Sequence, residues 1–157
     1  MVDFEQIKAD ILALYDECLE ISTPFHRKLD LFIVPDGLIV RVMQATGIDL
    51  TGHWVCIDNY GILHTLEQHG NLLSEARRGQ IAVDREDFVL FLDVFLNPDE
   101  IKMVGKTKQT NLPLLQFVKT IENKTFVVKE VRSIASSRKK KLSRLIFHTM
   151  YKIKAAK

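Results

Sequence analysis

Residues 114–134 read LLQFVKTIENKTFVVKEVRSI, and this stretch decides the fold class. Two β-rich runs, Leu114 to Ile121 and Phe126 to Ile134, are separated only by Glu122 to Thr125. A separator that short suits a hairpin between antiparallel strands, not the crossover that parallel strands need. The pattern repeats outward in both directions. Ile101 to Val104 precedes it across Gly105 to Pro113, and Leu142 to Ile153 follows it across Ala135 to Lys141. These four segments predict a four-stranded antiparallel sheet.

Upstream the period changes. Phe4, Ile7, Ile11, Tyr15, Cys18 and Leu19 recur at helical steps, which predicts an amphipathic helix from an Asp3 N-cap to Ile21. Thr23-Pro24 closes it. Residues 24–34 fit a buried strand and a short apolar helical turn equally well, because Asp30 is the one polar residue from Leu29 to Val34. Leu38 to Thr46 reads as a helix with Gly47 at C′. His53 to Ile57 reads as a short strand, and Asp58-Asn59 opens a helix that Gly70 stops. Residues 70–83 read as a loop with a brief extended Ile81 to Val83. Asp84, with Asp87 three residues on, forms an acidic capping box for a helix to Leu96 whose stripe is Phe88, Phe91, Leu92 and Phe95. Helices followed by a meander give an α+β fold, with N-terminal helices packed on a four-stranded antiparallel β-sheet. No repeat or linker divides the 157 residues, so a single domain is expected.

The net charge of +2 conceals a division. Residues 1–101 hold 18 acidic and 7 basic side chains, a balance of −11, whereas residues 102–157 hold 2 and 15, a balance of +13. Such asymmetry points to an anionic partner for the basic part; a solvated surface that balances the acidic part would read the same. Arg138-Lys139-Lys140-Lys141 is the densest run and falls in an expected hairpin loop, where it fits a phosphate-backbone contact or a solubilising edge. Cys18 and Cys56 form no C-x-x-C pair and read as reduced, buried thiols. Met1 is followed by Val-Asp-Phe-Glu, not by a basic patch and an apolar run, and no apolar run approaches a membrane span. A soluble, cytoplasmic protein is expected; export by a non-classical route would leave the same sequence.

His64 and His69 stand five apart, about 140° around a helix, so they do not share the face that a His-E-x-x-His metal motif requires. No metal or other cofactor is expected. His69 lies beside the terminal Gly70, where a helix C-terminus favours an imidazolium suited to general-acid work. Alternation puts Glu130 and Arg132 on one face with Phe126 and Val128, and Thr149 and Tyr151 on one face with Leu145 and Phe147. A polar pair ending an apolar face has either a salt-bridge role or a site role.

Three stretches carry a resemblance when taken in order. They are Ile62-Leu63-His64-Thr65-Leu66-Glu67-Gln68-His69-Gly70; Gly79-Gln80-Ile81-Ala82-Val83 through Asp87-Phe88 to Asn97-Pro98-Asp99; and Glu130-Val131-Arg132 followed by His148-Thr149-Met150-Tyr151-Lys152. The ordered set resembles the phage-associated branch of the Barnase–EndoU–colicin–RelE-like nuclease superfamily over residues 48–154, with 1–47 as a helical N-terminal extension. The resemblance implies metal-independent endoribonuclease chemistry, in which the ribose 2′-OH attacks phosphorus to leave a 2′,3′-cyclic phosphate. It implies a helix histidine at His64 or His69, an acid-and-base pair at Glu130 and Arg132, and a hydroxyl pair at Thr149 and Tyr151. Arg138, Lys139, Lys140, Lys141, Arg144, Lys152 and Lys154 would then contact nucleic acid. Implied partners are RNA, an acidic antidote or phage protein, and a second copy in a homodimer. A non-catalytic nucleic-acid-binding domain and a protein-interaction module, docking through the acidic helical part, stand as alternatives.

Overall fold

The computed structural model describes residues 2–108, 111–133 and 143–155. They form α1 (Phe4–Glu20), β1 (Lys28–Ile33), α2 (Asp36–Thr46), β2 (Trp54–Asp58), α3 (Asn59–His69), α4 (Leu72–Arg77), α5 (Asp87–Leu96), β3 (Glu100–Lys106), β4 (Pro113–Ile121), β5 (Lys124–Ser133) and β6 (Arg144–Lys154). The fold is α+β, and β3 to β6 form the antiparallel meander expected from the sequence. The expected four-stranded antiparallel sheet is corrected to a mixed sheet of six strands in the order β1-β2-β6-β5-β4-β3. β2 lies parallel to β6, pairing Trp54, Val55 and Cys56 with Arg144, Leu145 and Ile146, and β1 adds antiparallel to β2. The physical reason is that β6 keeps a second ladder of backbone groups on the side away from β5, and a strand remote in sequence satisfies it.

Local chemistry explains the helices. Asp3 Oδ1 accepts from Gln6 N at 3.1 Å and starts α1, whose Ile7, Ile11, Leu14 and Cys18 are buried. Gly47, at φ 77°, takes the left-handed position that ends α2. Asp58 Oδ1 accepts from Gly61 N at 2.9 Å and caps α3. Asp84 and Asp87 cap reciprocally, through Asp84 N to Asp87 Oδ2 at 2.9 Å and Asp87 N to Asp84 Oδ1 at 3.3 Å. The expected loop over residues 70–83 contains α4, capped by Asn71, whose Oδ1 accepts from Ser74 N at 2.9 Å. Leu72 and Leu73 point outward there, so the helix has no apolar stripe to betray it.

The core lies between the helices and one sheet face. Phe91 and Phe88 of α5 meet Phe147 at 5.2 and 6.0 Å between ring centroids, and Phe95 meets Phe117 at 5.0 Å. The same cluster takes in Ile7, Ile11 and Leu14 of α1 and Leu38 and Val42 of α2, so the segment before residue 48 packs into the core it shares with the sheet. Among the described residues no helix is long and apolar enough to cross a membrane.

One irregularity in β6 positions the site. β5 pairs Lys129 with Thr149 but Glu130 with Phe147, which leaves His148 as an extra residue, a β-bulge. The bulge shifts the alternation by one. Leu145 and Phe147 are buried before it, and Met150 and Lys152 after it. The expectation that Thr149 and Tyr151 share a face with Leu145 and Phe147 is therefore corrected: register places them with Lys129 and Val127, not with Glu130.

Candidate active site

α3 packs closely against the bulged strand. A Cβ on Gly61 would fall 2.6 Å from the Phe147 carbonyl oxygen, so only glycine permits this approach. The approach brings His64 beside His148, with ring centroids 5.3 Å apart and planes tilted by 37°. Both rings line a cleft of about 740 Å³, together with Asp58, Tyr60, Lys106 and Lys108. Leu114, Val131 and Ile146 supply its apolar floor. Burial lowers the His148 pKa below the ordinary histidine value of 6.5; the nearby His64 and Lys129 push the same way and Asp58 opposes them. His148 is therefore held as a neutral imidazole at physiological pH, able to accept a proton. Among the described residues neither Lys106 nor Lys108 forms an ion pair, so both ammonium groups remain for an anion at the cleft. The cleft thus joins a proton acceptor, a second imidazole and cationic groups, which can together move protons and offset negative charge.

The structure disperses the other sequence-derived candidates. His69 is buried, with Nδ1 3.1 Å from Glu75 Oε2 and its ring 5.6 Å from that of Tyr151. Arg78 pairs with the same Glu75, so His69 belongs to a network that fastens α4 to the end of α3. Thr149 is buried against Thr65, with hydroxyls 3.4 Å apart. Arg132 donates to His53 Nε2 and to the Asp49 carbonyl, each at 3.3 Å. Arg144 makes a two-pronged pair with Asp30 at 2.7 and 3.0 Å. Lys152 is buried, its Nζ 2.6 Å from Asp87 Oδ2. These two cations serve the acidic half of the chain, which accounts for part of the charge division. Lys154 is exposed at the far end of β6, opposite Lys124. Arg138, Lys139, Lys140 and Lys141 lie outside the described residues.

Glu130 is fully buried on the core face, across from Leu115 and Phe147, and neither carboxyl oxygen has a hydrogen-bond partner among the described residues. Burial raises its pKa well above 4.5, so the folded protein holds its proton. The unfolded chain releases that proton above about pH 4.5, so Glu130 costs stability increasingly as pH rises through the carboxylate range. Glu130→Met is expected to raise unfolding stability at pH 7 by about 1–3 kcal/mol in urea titrations, because it removes an unsatisfied polar group at similar length. An unchanged or lower urea midpoint would show that the carboxyl has a stabilising partner.

His148, Asp58, Tyr60, Lys106 and Lys108 were not among the sequence-derived site residues. His148 stands in one of the stretches that carry the resemblance, yet strict alternation drew attention to its neighbours. Both thiols are buried, and burial pushes Cys18 up to about 11 and Cys56 higher still, which removes them as nucleophiles. Among the described residues no group of three or more His, Cys, Asp or Glu side chains is placed to hold a metal ion.

The class of domain that carries this cleft on its helix-backed sheet follows from sequence comparison. Residues 34–157 match the family described as phage-Barnase-EndoU-ColicinE5/D-RelE like nuclease3, and the chain belongs to that family. No curated protein and no solved structure matches it. The match begins ahead of the residue 48 expected from the sequence and includes α2.

Proposed function

We propose that the protein is a metal-independent endoribonuclease that cleaves RNA at the cleft between α3 and the bulge of β6. The observation that carries this reading is the His64–His148 pair, 5.3 Å apart in a cleft that also holds Lys106 and Lys108. His148, neutral because it is partly buried, accepts the proton of the ribose 2′-OH as that oxygen attacks the adjacent phosphorus. His64 delivers a proton to the departing 5′ oxygen. The bond from phosphorus to the 5′ oxygen breaks as the bond to the 2′ oxygen forms, leaving a 2′,3′-cyclic phosphate and a free 5′-OH. Lys106 and Lys108 offset the charge that gathers on the phosphoryl oxygens.

The test is incubation of the purified protein with tRNA and with total RNA in excess EDTA. Cleavage is expected, with 2′,3′-cyclic phosphate ends in the products. A matched oligonucleotide lacking the 2′-OH at every position should remain intact, because the attacking oxygen is gone. Intact RNA after treatment with the folded protein would overturn the catalytic reading, and cleavage of the 2′-deoxy substrate would overturn the mechanism.

A further inference from the structure

The mouth of the cleft carries an aromatic pair for which the transesterification has no use. Tyr60, in the first turn of α3, lines the cleft yet is 55% exposed. Its ring stacks on His26 with centroids 4.8 Å apart and planes 25° from parallel. His26 lies in the connection between α1 and β1, ahead of the residues that match the nuclease family.

That connection is fastened in place. Asn59, 1% exposed, accepts from Arg27 N at 2.8 Å through Oδ1 and donates to the Phe25 carbonyl at 2.7 Å through Nδ2. Its own backbone N–H donates to the Arg27 carbonyl at 3.1 Å. Three hydrogen bonds thus hold residues 25 and 27 against the start of α3. Between them, His26 is set against Tyr60, with Nε2 3.6 Å from Asp58 Oδ2. A buried amide bonded through both its oxygen and its nitrogen to the two neighbours of one ring preorganises that ring before any ligand arrives.

We infer that Tyr60, backed by His26, is a nucleobase-stacking subsite that holds an unpaired base of an RNA strand beside the phosphate at His64 and His148. This rests on the proposed nuclease reading and adds to it the form of the substrate: single-stranded RNA with a base turned out onto the tyrosine face. An exposed aromatic ring lining a cleft that also holds lysines is an arrangement by which single strands are held, since every base has a π-face. The extended segment before β1 therefore completes the substrate site.

The experiment is equilibrium binding of a short, uncleavable 2′-O-methyl RNA at fixed salt, alongside the same strand with abasic positions. Tyr60→Ala should weaken binding of the intact strand by about 5- to 150-fold, the range observed for loss of one base–aromatic stack. Tyr60→Trp should bind at least as well as the wild type. His26→Ala and Asn59→Ala should give smaller losses, with circular dichroism used to check that each variant is folded. The abasic strand should bind the wild type and Tyr60→Ala alike. Equal binding of the intact strand by the wild type and Tyr60→Ala would overturn the subsite while leaving the nuclease reading in place. Equal loss on both strands would also overturn it, by tracing the effect to the phosphate site. No binding by the folded wild type would overturn the nucleic-acid reading and the subsite with it.

Discussion

His148→Ala is expected to leave a folded protein that cleaves RNA about 10²- to 10⁴-fold more slowly, the usual contribution of one positioned general base. The side chain projects from a bulge into the cleft, away from the aromatic core around Phe147, so truncation opens no cavity among the phenylalanines. His64→Ala should fall by a comparable factor. The double variant should be little worse than either single one, because the two proton transfers belong to one concerted displacement at phosphorus. The pH profile gives an independent check. Burial holds His148 below 6.5, so the acid limb of the wild-type rate should lie below that value, activity being lost as pH falls and the ring takes a proton. Full-rate cleavage by folded His148→Ala would remove this residue from the mechanism. An acid limb above 6.5 would assign the base to another group.

Lys152→Met should produce the largest loss of stability. Lys152 and Asp87 are both almost wholly buried and 2.6 Å apart, with Phe126 beneath the ammonium at 5.8 Å from its centroid. Removal of one partner from a buried ion pair costs about 3–5 kcal/mol, because the other charge stays in the interior. Burial already raises the Asp87 pKa against the lowering influence of Lys152. Without the lysine, Asp87 takes up a proton, which puts the loss near the lower end of that range. Urea unfolding measures it directly, and Asp87→Leu combined with Lys152→Met should recover most of the loss. The prediction also separates two roles for Lys152. A lysine that served RNA phosphate would weaken binding when replaced and leave the urea midpoint where it was.

The sequence was readable where structure depends on neighbours a few residues apart. Asp3, Asp58 and the Asp84–Asp87 pair announce their caps, and the spacing across Glu122 to Thr125 announces a hairpin. α4 escaped because Leu72 and Leu73 face outward and leave no period. The β2–β6 pairing escaped because no local pattern records a partner 90 residues away, as between Val55 and Leu145. The candidate site depended on both kinds of information. His64 was visible as a helix histidine in an ordered set of stretches. Its partner was hidden by the bulge, since strict alternation past Phe147 reverses the faces of Thr149 and Tyr151. Glu130, Arg144 and Lys152 looked like site residues because polar groups in apolar or basic strands suggest function. The structure buries Glu130 in the core and pairs Arg144 with Asp30 and Lys152 with Asp87.

The central place of β6 bears on how the protein is made. Its neighbours are β2, from the first half of the chain, and β5, the strand before it in sequence, and the three imidazoles at or beside the cleft sit at positions 26, 64 and 148. During synthesis the earlier strands leave the ribosome without the strand that joins them, so the sheet closes only once β6 has emerged. A nascent or truncated product ending before Arg144 lacks both the joining strand and His148. Assembly of the proposed cleft is therefore tied to the synthesis of β6, which brings both the joining strand and His148.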